Sequence, residues 1–149
     1  MKALVQRVSR AQVTVADSCV GAIGPGLLVF LAVVRGDGPA QMERMIKKVA
    51  GLRIFSDEAG RMNLAVGDIG GSLLVISQFT LAADLKKGFR PSFANAEEPA
   101  AASAMYDLFC ETLAATGLPV ERGVFGADMQ VELVNDGPVT LWLDFPPKP

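Results

Sequence analysis

Histidine is missing from the chain altogether. Its absence removes the usual proton acceptor near neutral pH and excludes Ser-His-Asp and Cys-His catalysis. Cysteine is scarce too: Cys19 and Cys110 are the only two, far apart in apolar-patterned segments. Two such thiols without histidine make no zinc set, and the sequence implies neither a metal nor a cofactor. Both read as buried, reduced thiols, since nothing marks the chain as secreted. No signal segment is visible, because Met1 leads straight into strand-like alternation. The longest apolar run, Leu27 to Val34, is too short to span a bilayer. A soluble, cytoplasmic protein with no membrane partner is expected. A P-loop and a dinucleotide fingerprint are also lacking, since Gly21-x-x-Gly24-x-Gly26 has neither the spacing nor the context.

A surplus of positive charge is missing as well, the formal net charge being −2. Proteins that coat nucleic-acid backbone draw on excess Lys and Arg, so that class is disfavoured. Recognition of a nucleic-acid end, where few phosphates are met, stays open. Basic residues do gather at Arg44, Lys47, Lys48 and Arg53, and again at Lys86, Lys87 and Arg90. The ordinary reading of each cluster is a solvated face.

What the chain does have is apolar material. Half of its 149 residues are hydrophobic, enough for one domain of this length to build a core without staples. Strands are predicted over Lys2–Val8, Gln12–Val15, Val20–Ile23 and Leu27–Val34, the last buried on both faces. Gly36-Asp37-Gly38-Pro39 opens a helix to about Ala50, with Met42, Met45, Ile46 and Val49 on its apolar stripe. Arg53–Ser56 and Ser72–Ser77 read as strands, with turns or an excursion over Asp57–Gly71. Gln78–Asn95 is too long for a plain connection and is a candidate functional loop. A second helix spans about Pro99–Thr116, its stripe formed by Met105, Leu108, Phe109 and Leu113. Met129–Val134 and Val139–Phe145 complete the strands, with a turn at Asp136-Gly137-Pro138. The whole is a single α/β domain, rich in sheet, with two main helices.

Two segments carry chemical promise. Ser77-Gln78-Phe79-Thr80 sits where a buried strand leaves its sheet, so its N–H groups are free to face a ligand oxygen. The alternative is a capped strand end with Phe79 packed in the core. Gly137-Pro138 is either an ordinary hairpin turn or, if its peptide bond is cis, a rigid presentation of neighbouring carbonyls. Asp84 and Asp136 lie near these segments and read as exposed turn aspartates. Phe89 and Phe93 read as packing their own loop.

Five motifs stand in order. They are Met1-Lys2-Ala3-Leu4-Val5-Gln6-Arg7-Val8, Gly24-Pro25-Gly26-Leu27-Leu28, Ser77-Gln78-Phe79-Thr80-Leu81, Gly88-Phe89-Arg90-Pro91-Ser92-Phe93 and Asn135-Asp136-Gly137-Pro138-Val139-Thr140. Together they span nearly the whole chain, and the chain resembles the D-aminoacyl-tRNA deacylase family.

That resemblance implies a mixed and antiparallel, barrel-like sheet with two helices. It implies a homodimer with active sites at its interface, and a cis Gly137-Pro138 reaching into the partner's pocket. The partner molecule is a tRNA acceptor end carrying a D-amino acid or glycine, and the reaction is hydrolysis of the aminoacyl ester. Ser77, Gln78, Phe79 and Thr80 would form the pocket, Arg7 would brace the Gly-Pro loop, and Phe125 to Met129 would seat the terminal adenosine. Ser77 aligns with the stricter, D-specific group. Two mechanisms follow: water assisted by the ribose 2′-hydroxyl, or Thr80 as nucleophile, which lacks a base to activate it. A nucleic-acid-end binding module and a hydrolase of small D-amino-acid esters are the competing readings.

Overall fold

The computed structural model describes residues 1–149. Its organising element is β1 (Lys2–Val15), 14 residues long. The sequence suggested a break at Ser9-Arg10, where two exposed polar residues interrupt the alternation. The strand runs through because it is paired on both edges. Along one edge Lys2–Val8 pairs with β3 (Gly26–Ala32) and Ala11–Val15 with β2 (Ser18–Ile23), both antiparallel. Along the other edge lies β8 (Gln130–Asp144), antiparallel over nearly its full length.

After β3, Gly38 opens α1 (Pro39–Gly51), its N–H accepted by the Gln41 side chain at 2.9 Å. The expected stripe of Met42, Met45, Ile46 and Val49 is the buried one. β4 (Phe55–Ser56) and β5 (Met62–Leu64) form a small separate hairpin. β5 replaces part of a stretch read as turns. β6 (Ser72–Ser77) then returns parallel to β3, and β7 (Val120–Arg122) adds parallel to β6.

Between β6 and β7 lies α2 (Pro99–Ala115). Its buried face is Ala102, Tyr106, Phe109, Cys110 and Leu113, rotated from the expected stripe. Leu108 is instead 49 % exposed and Met105 only partly buried. Ala102, one turn before Tyr106, is buried on the same face, while Pro99, Ala100 and Ala101 are exposed.

The main sheet therefore runs β2-β1-β3-β6-β7, with β8 on the free edge of β1. It curls toward closure. A Cβ placed on Gly21 of β2 would stand 2.6 Å from the Arg122 carbonyl of β7, so only glycine permits that approach. One core lies between the sheet and both helices, and a second fills the inside of the curl around Val8, Val13, Leu28, Leu74 and Ile76. The architecture is a mixed, nearly closed barrel with two helices, as expected. Of the two cysteines, only Cys110 is buried; Cys19 is exposed on β2, and both are free thiols. No helix is long and apolar enough to cross a membrane.

Candidate active site

β6 is apolar and buried until Ser77, where it leaves the sheet. The last ladder bond runs from Gln78 N–H to the Leu31 carbonyl at 2.7 Å. The chain then tightens into a 3-10 turn over Phe79–Ala82. Phe79 and Thr80 open that turn, so their N–H groups have no acceptor within it. The Phe79 ring is not packed in the core: it is 54 % exposed and meets Phe93 edge-on at 5.0 Å. Phe93 thus lines the site, while Phe89 is fully exposed and packs against nothing.

Two concavities meet at this ridge. One, of about 350 Å³, runs from Ser77, Gln78 and Phe79 past Phe93 and Pro99 to Tyr106 and Phe125. The other, of about 320 Å³, lies between Ile76–Phe79 and Phe125–Met129. Ser77, Gln78, Phe79, Phe125 and Gly126 border both. The structure therefore brings together Ser77, Gln78, Phe79, Phe125 and Met129 as the sequence suggested. Thr80 borders neither concavity; its Oγ1 accepts from Gln78 Nε2 at 2.5 Å.

Sequence reasoning missed Tyr106 and Arg35. Tyr106 lies under the larger concavity, its hydroxyl donating to the Val75 carbonyl at 2.7 Å, two residues before Ser77. Its ring tilts against Phe125 at 6.2 Å. Burial raises its pKa far above the ordinary value, so it is neutral. Burial likewise pushes the Cys110 thiol up to about 11. Neither group is a usable base. Arg35 stands at the rim, paired with Glu98 at 3.0 Å.

The second motif lies elsewhere. Gly137-Pro138 is cis, and it is not a hairpin turn between two strands. β8 continues on both sides, with Gln6 opposite Thr140 and Val8 opposite Asn135. A single β1 residue, Arg7, thus faces the four-residue excursion Asp136 to Val139. Arg7 Nε donates to the Asp136 carbonyl at 3.0 Å and lies 3.4 Å from its carboxylate, while a terminal nitrogen reaches the Ile54 carbonyl. Asp84 is bonded to the Lys86 N–H in its own loop, so the two aspartates serve separate turns.

Ser77, Leu31, Ala3 and Leu143 lie on one line across β6, β3, β1 and β8. Arg7 is four residues further along β1, or about 13 Å, and β8 is three strand spacings from β6, about 14 Å. Within one chain, the Gly137 excursion and the Ser77 ridge share no cavity.

A barrel-like mixed sheet under two helices, with main-chain donors exposed at a strand end beside the carboxylates of Glu97, Glu98 and Asp128, has the makings of a hydrolase. The profile of the D-Tyr-tRNA(Tyr) deacylase family matches residues 4–144. A D-aminoacyl-tRNA deacylase of Magnetococcus marinus is 62% identical over 149 residues, covering 99% of each chain. One from Paracoccus denitrificans is 60% identical over 144 residues, 97% of each. Among solved structures, the c-Myc DNA unwinding element binding protein superposes with a TM-score of 0.93 at 42% identity, over 98% of this chain and 99% of that one. A probable eukaryotic D-amino acid tRNA deacylase shares the fold, with a TM-score of 0.84 at 18% identity over 97% and 98%. The chain belongs to the D-aminoacyl-tRNA deacylase family, hydrolases of the aminoacyl ester bond.

Proposed function

We propose that two copies of this chain together hydrolyse D-aminoacyl-tRNA, and remove glycine as well, each copy completing the other's site with its Gly137-Pro138 segment. The observation that carries this reading is the separation just described: the two motifs share no cavity within a chain, yet both are exposed. An apolar row supports pairing of copies. Trp142, Leu4 and Phe30 lie side by side across β8, β1 and β3; Trp142 is 49 % exposed, and Leu4 and Phe30 are half-buried.

In this reading the tRNA 3′ end enters along Phe125 to Met129, and the ester carbonyl meets the free N–H groups at the Phe79 ridge. Those donors stabilise the oxyanion as water adds to the carbonyl carbon. The ribose 2′-hydroxyl relays a proton from that water to the departing 3′ oxygen, the ester C–O bond breaks, and free amino acid and tRNA leave. The partner's Gly137 carbonyl holds the substrate amine and occupies the space an L side chain would need. Glycine, with no side chain, escapes that exclusion. The setting is the cytoplasm, where aminoacyl-tRNA is made.

The test pairs matched D- and L-tyrosyl-tRNA and glycyl-tRNA with mixed dimers. A Phe79→Pro chain, lacking one donor, and a Gly137→Ala chain are each inactive alone. Mixing them restores activity, because some mixed dimers carry one intact composite site. No recovery on mixing, with dimers formed, would sink the cross-subunit reading. A second reading, binding to nucleic acid without turnover, is favoured only by the name of the 42%-identical structure. Wild-type turnover of the D-ester eliminates it.

A further inference from the structure

The exposed face of α1 carries Arg44, Lys47 and Lys48 around a concavity of about 540 Å³ that they share with Gly51 and Phe145. None of the three forms an ion pair; Lys2, Arg7, Arg10, Arg35 and Arg122 do, while Arg53, Arg61, Lys86, Lys87, Arg90 and Lys148 likewise do not. In a chain of net charge −2, three unpaired cations on one helix face are a local excess. The only acid on the helix, Glu43, stands at the edge of this face. Helix polarity favours Lys48, which lies in the last turn, but gives no reason for Arg44. Arg44 is fixed in place, its guanidinium stacked 4.5 Å above the Phe145 ring. A stacked guanidinium keeps its edge N–H groups available to an anion.

The face also adjoins the pocket. Phe145 follows β8 at the sheet end where Ser77 leaves β6, and its carbonyl accepts from the Met1 amine at 2.8 Å. That amine is paired with Asp37 at 2.6 Å, in the turn that begins with the rim residue Arg35. The tail after Phe145 lies over the same turn: a Cβ on Gly36 would stand 3.2 Å from Pro147. The pocket rim at Arg35 and the α1 face at Arg44 are therefore joined through Phe145 and the buried Met1–Asp37 pair.

We infer that this face of α1 docks the phosphodiester backbone of the acceptor stem belonging to the tRNA whose 3′ end occupies the pocket. The inference rests on the deacylase reading and names how that enzyme grips the rest of its substrate. Duplex RNA is met chiefly through its phosphates and shape, which suits a basic concavity whose one aromatic ring, Phe145, is covered by Arg44. It separates two tasks: the pocket reads the ester, and α1 supplies sequence-independent affinity.

The experiment compares wild type with Lys47→Ala/Lys48→Ala and with Arg44→Ala/Lys47→Ala/Lys48→Ala, on D-tyrosyl-tRNA and on D-tyrosyl-adenosine. An Arg10→Ala/Arg61→Ala protein removes the same charge as the double variant elsewhere. The expected result is a KM for the tRNA ester raised about tenfold or more in the triple variant, with kcat and turnover of the adenosine ester unchanged. The slope of log kcat/KM against log salt becomes shallower by about two to three in the triple variant, and the control stays near wild type. Equal effects on both esters, an unchanged salt slope, or an equal loss in the control would overturn the inference. Binding of uncharged tRNA to the same proteins gives a readout independent of turnover. If wild type hydrolyses neither ester, the deacylase reading fails; if wild type and triple variant bind uncharged tRNA equally, the docking face fails.

Discussion

Asn135 and Arg7 hold each other across the β1–β8 excursion. Asn135 Nδ2 donates to the Arg7 carbonyl at 2.9 Å and to the Val139 carbonyl at 3.1 Å, tying together the two ends of the looped-out segment. Arg7 answers from the other strand through its guanidinium, which spans from Asp136 to Ile54. The Gly137-Pro138 segment is thus exposed yet held at both ends.

Breaking this mutual hold is expected to loosen the gate more than the fold. Asn135→Ala should lower stability by about 1–2 kcal/mol, the net worth of two such hydrogen bonds. Discrimination between D- and L-tyrosyl-tRNA should fall by a larger factor. Arg7→Lys should behave similarly, since one ammonium cannot bond both carbonyls as a guanidinium does. Urea unfolding beside a D/L rate ratio measures both. Unchanged selectivity in both variants would remove the bracing role.

Gly137→Ala tests the gate itself. A Cβ at this position would stand 2.1 Å from the Val139 nitrogen, so the main chain must move. A displacement of about 1 Å at a reacting centre costs on the order of 100-fold in rate, and that loss is expected for D-tyrosyl-tRNA. The melting temperature should shift by only a few degrees, because the excursion lies outside the ladder and is exposed.

Thr80→Val removes the competing nucleophile. The threonine oxygen accepts from the Gln78 amide, a group unable to take its proton. Single-turnover deacylation by the variant should stay within about tenfold of wild type. Total loss in a folded protein would favour threonine as nucleophile.

Alkali should expose the cost of burying Cys110. Its folded pKa of about 11 lies above the reference 9.0, so the native state holds its proton more tightly than the unfolded chain. That contribution is complete below about pH 9 and is lost as pH rises through about 11, a fall on the order of 3 kcal/mol. Cys110→Ala should flatten this part of the stability–pH curve. Thiol titration makes a companion check: Cys19 should react in the native protein and Cys110 only on unfolding.

The elements with regular periodicity were legible in the sequence, and the misreadings have local causes. α1 showed its buried face because its apolar residues alternate with charged ones. α2 did not, since alanines and a single tyrosine decide its orientation while Leu108 faces out. β5 and β7 are three residues each, too short to carry a period and defined only by their neighbours. Asp136-Gly137-Pro138 has the composition of a hairpin turn, and only the pairing of β8 with β1 on both sides makes it an excursion. The ridge Ser77–Phe79 was readable as the end of a buried strand. Tyr106 and Phe93 reach it from elements distant in sequence, so no local pattern revealed them.

The placement of β1 has a consequence for how the chain is made. Its partners on one edge, β2 and β3, follow at once, whereas β8, which covers the other edge, emerges only after both helices have been synthesised. Throughout that interval β1 offers an open row of main-chain donors and acceptors, the kind of edge that recruits stray strands. Closing so long a loop is entropically costly and comes last. A nascent chain stalled before β8 is therefore a sheet with one side unsealed, and its fate depends on what shields β1 until the final strand arrives.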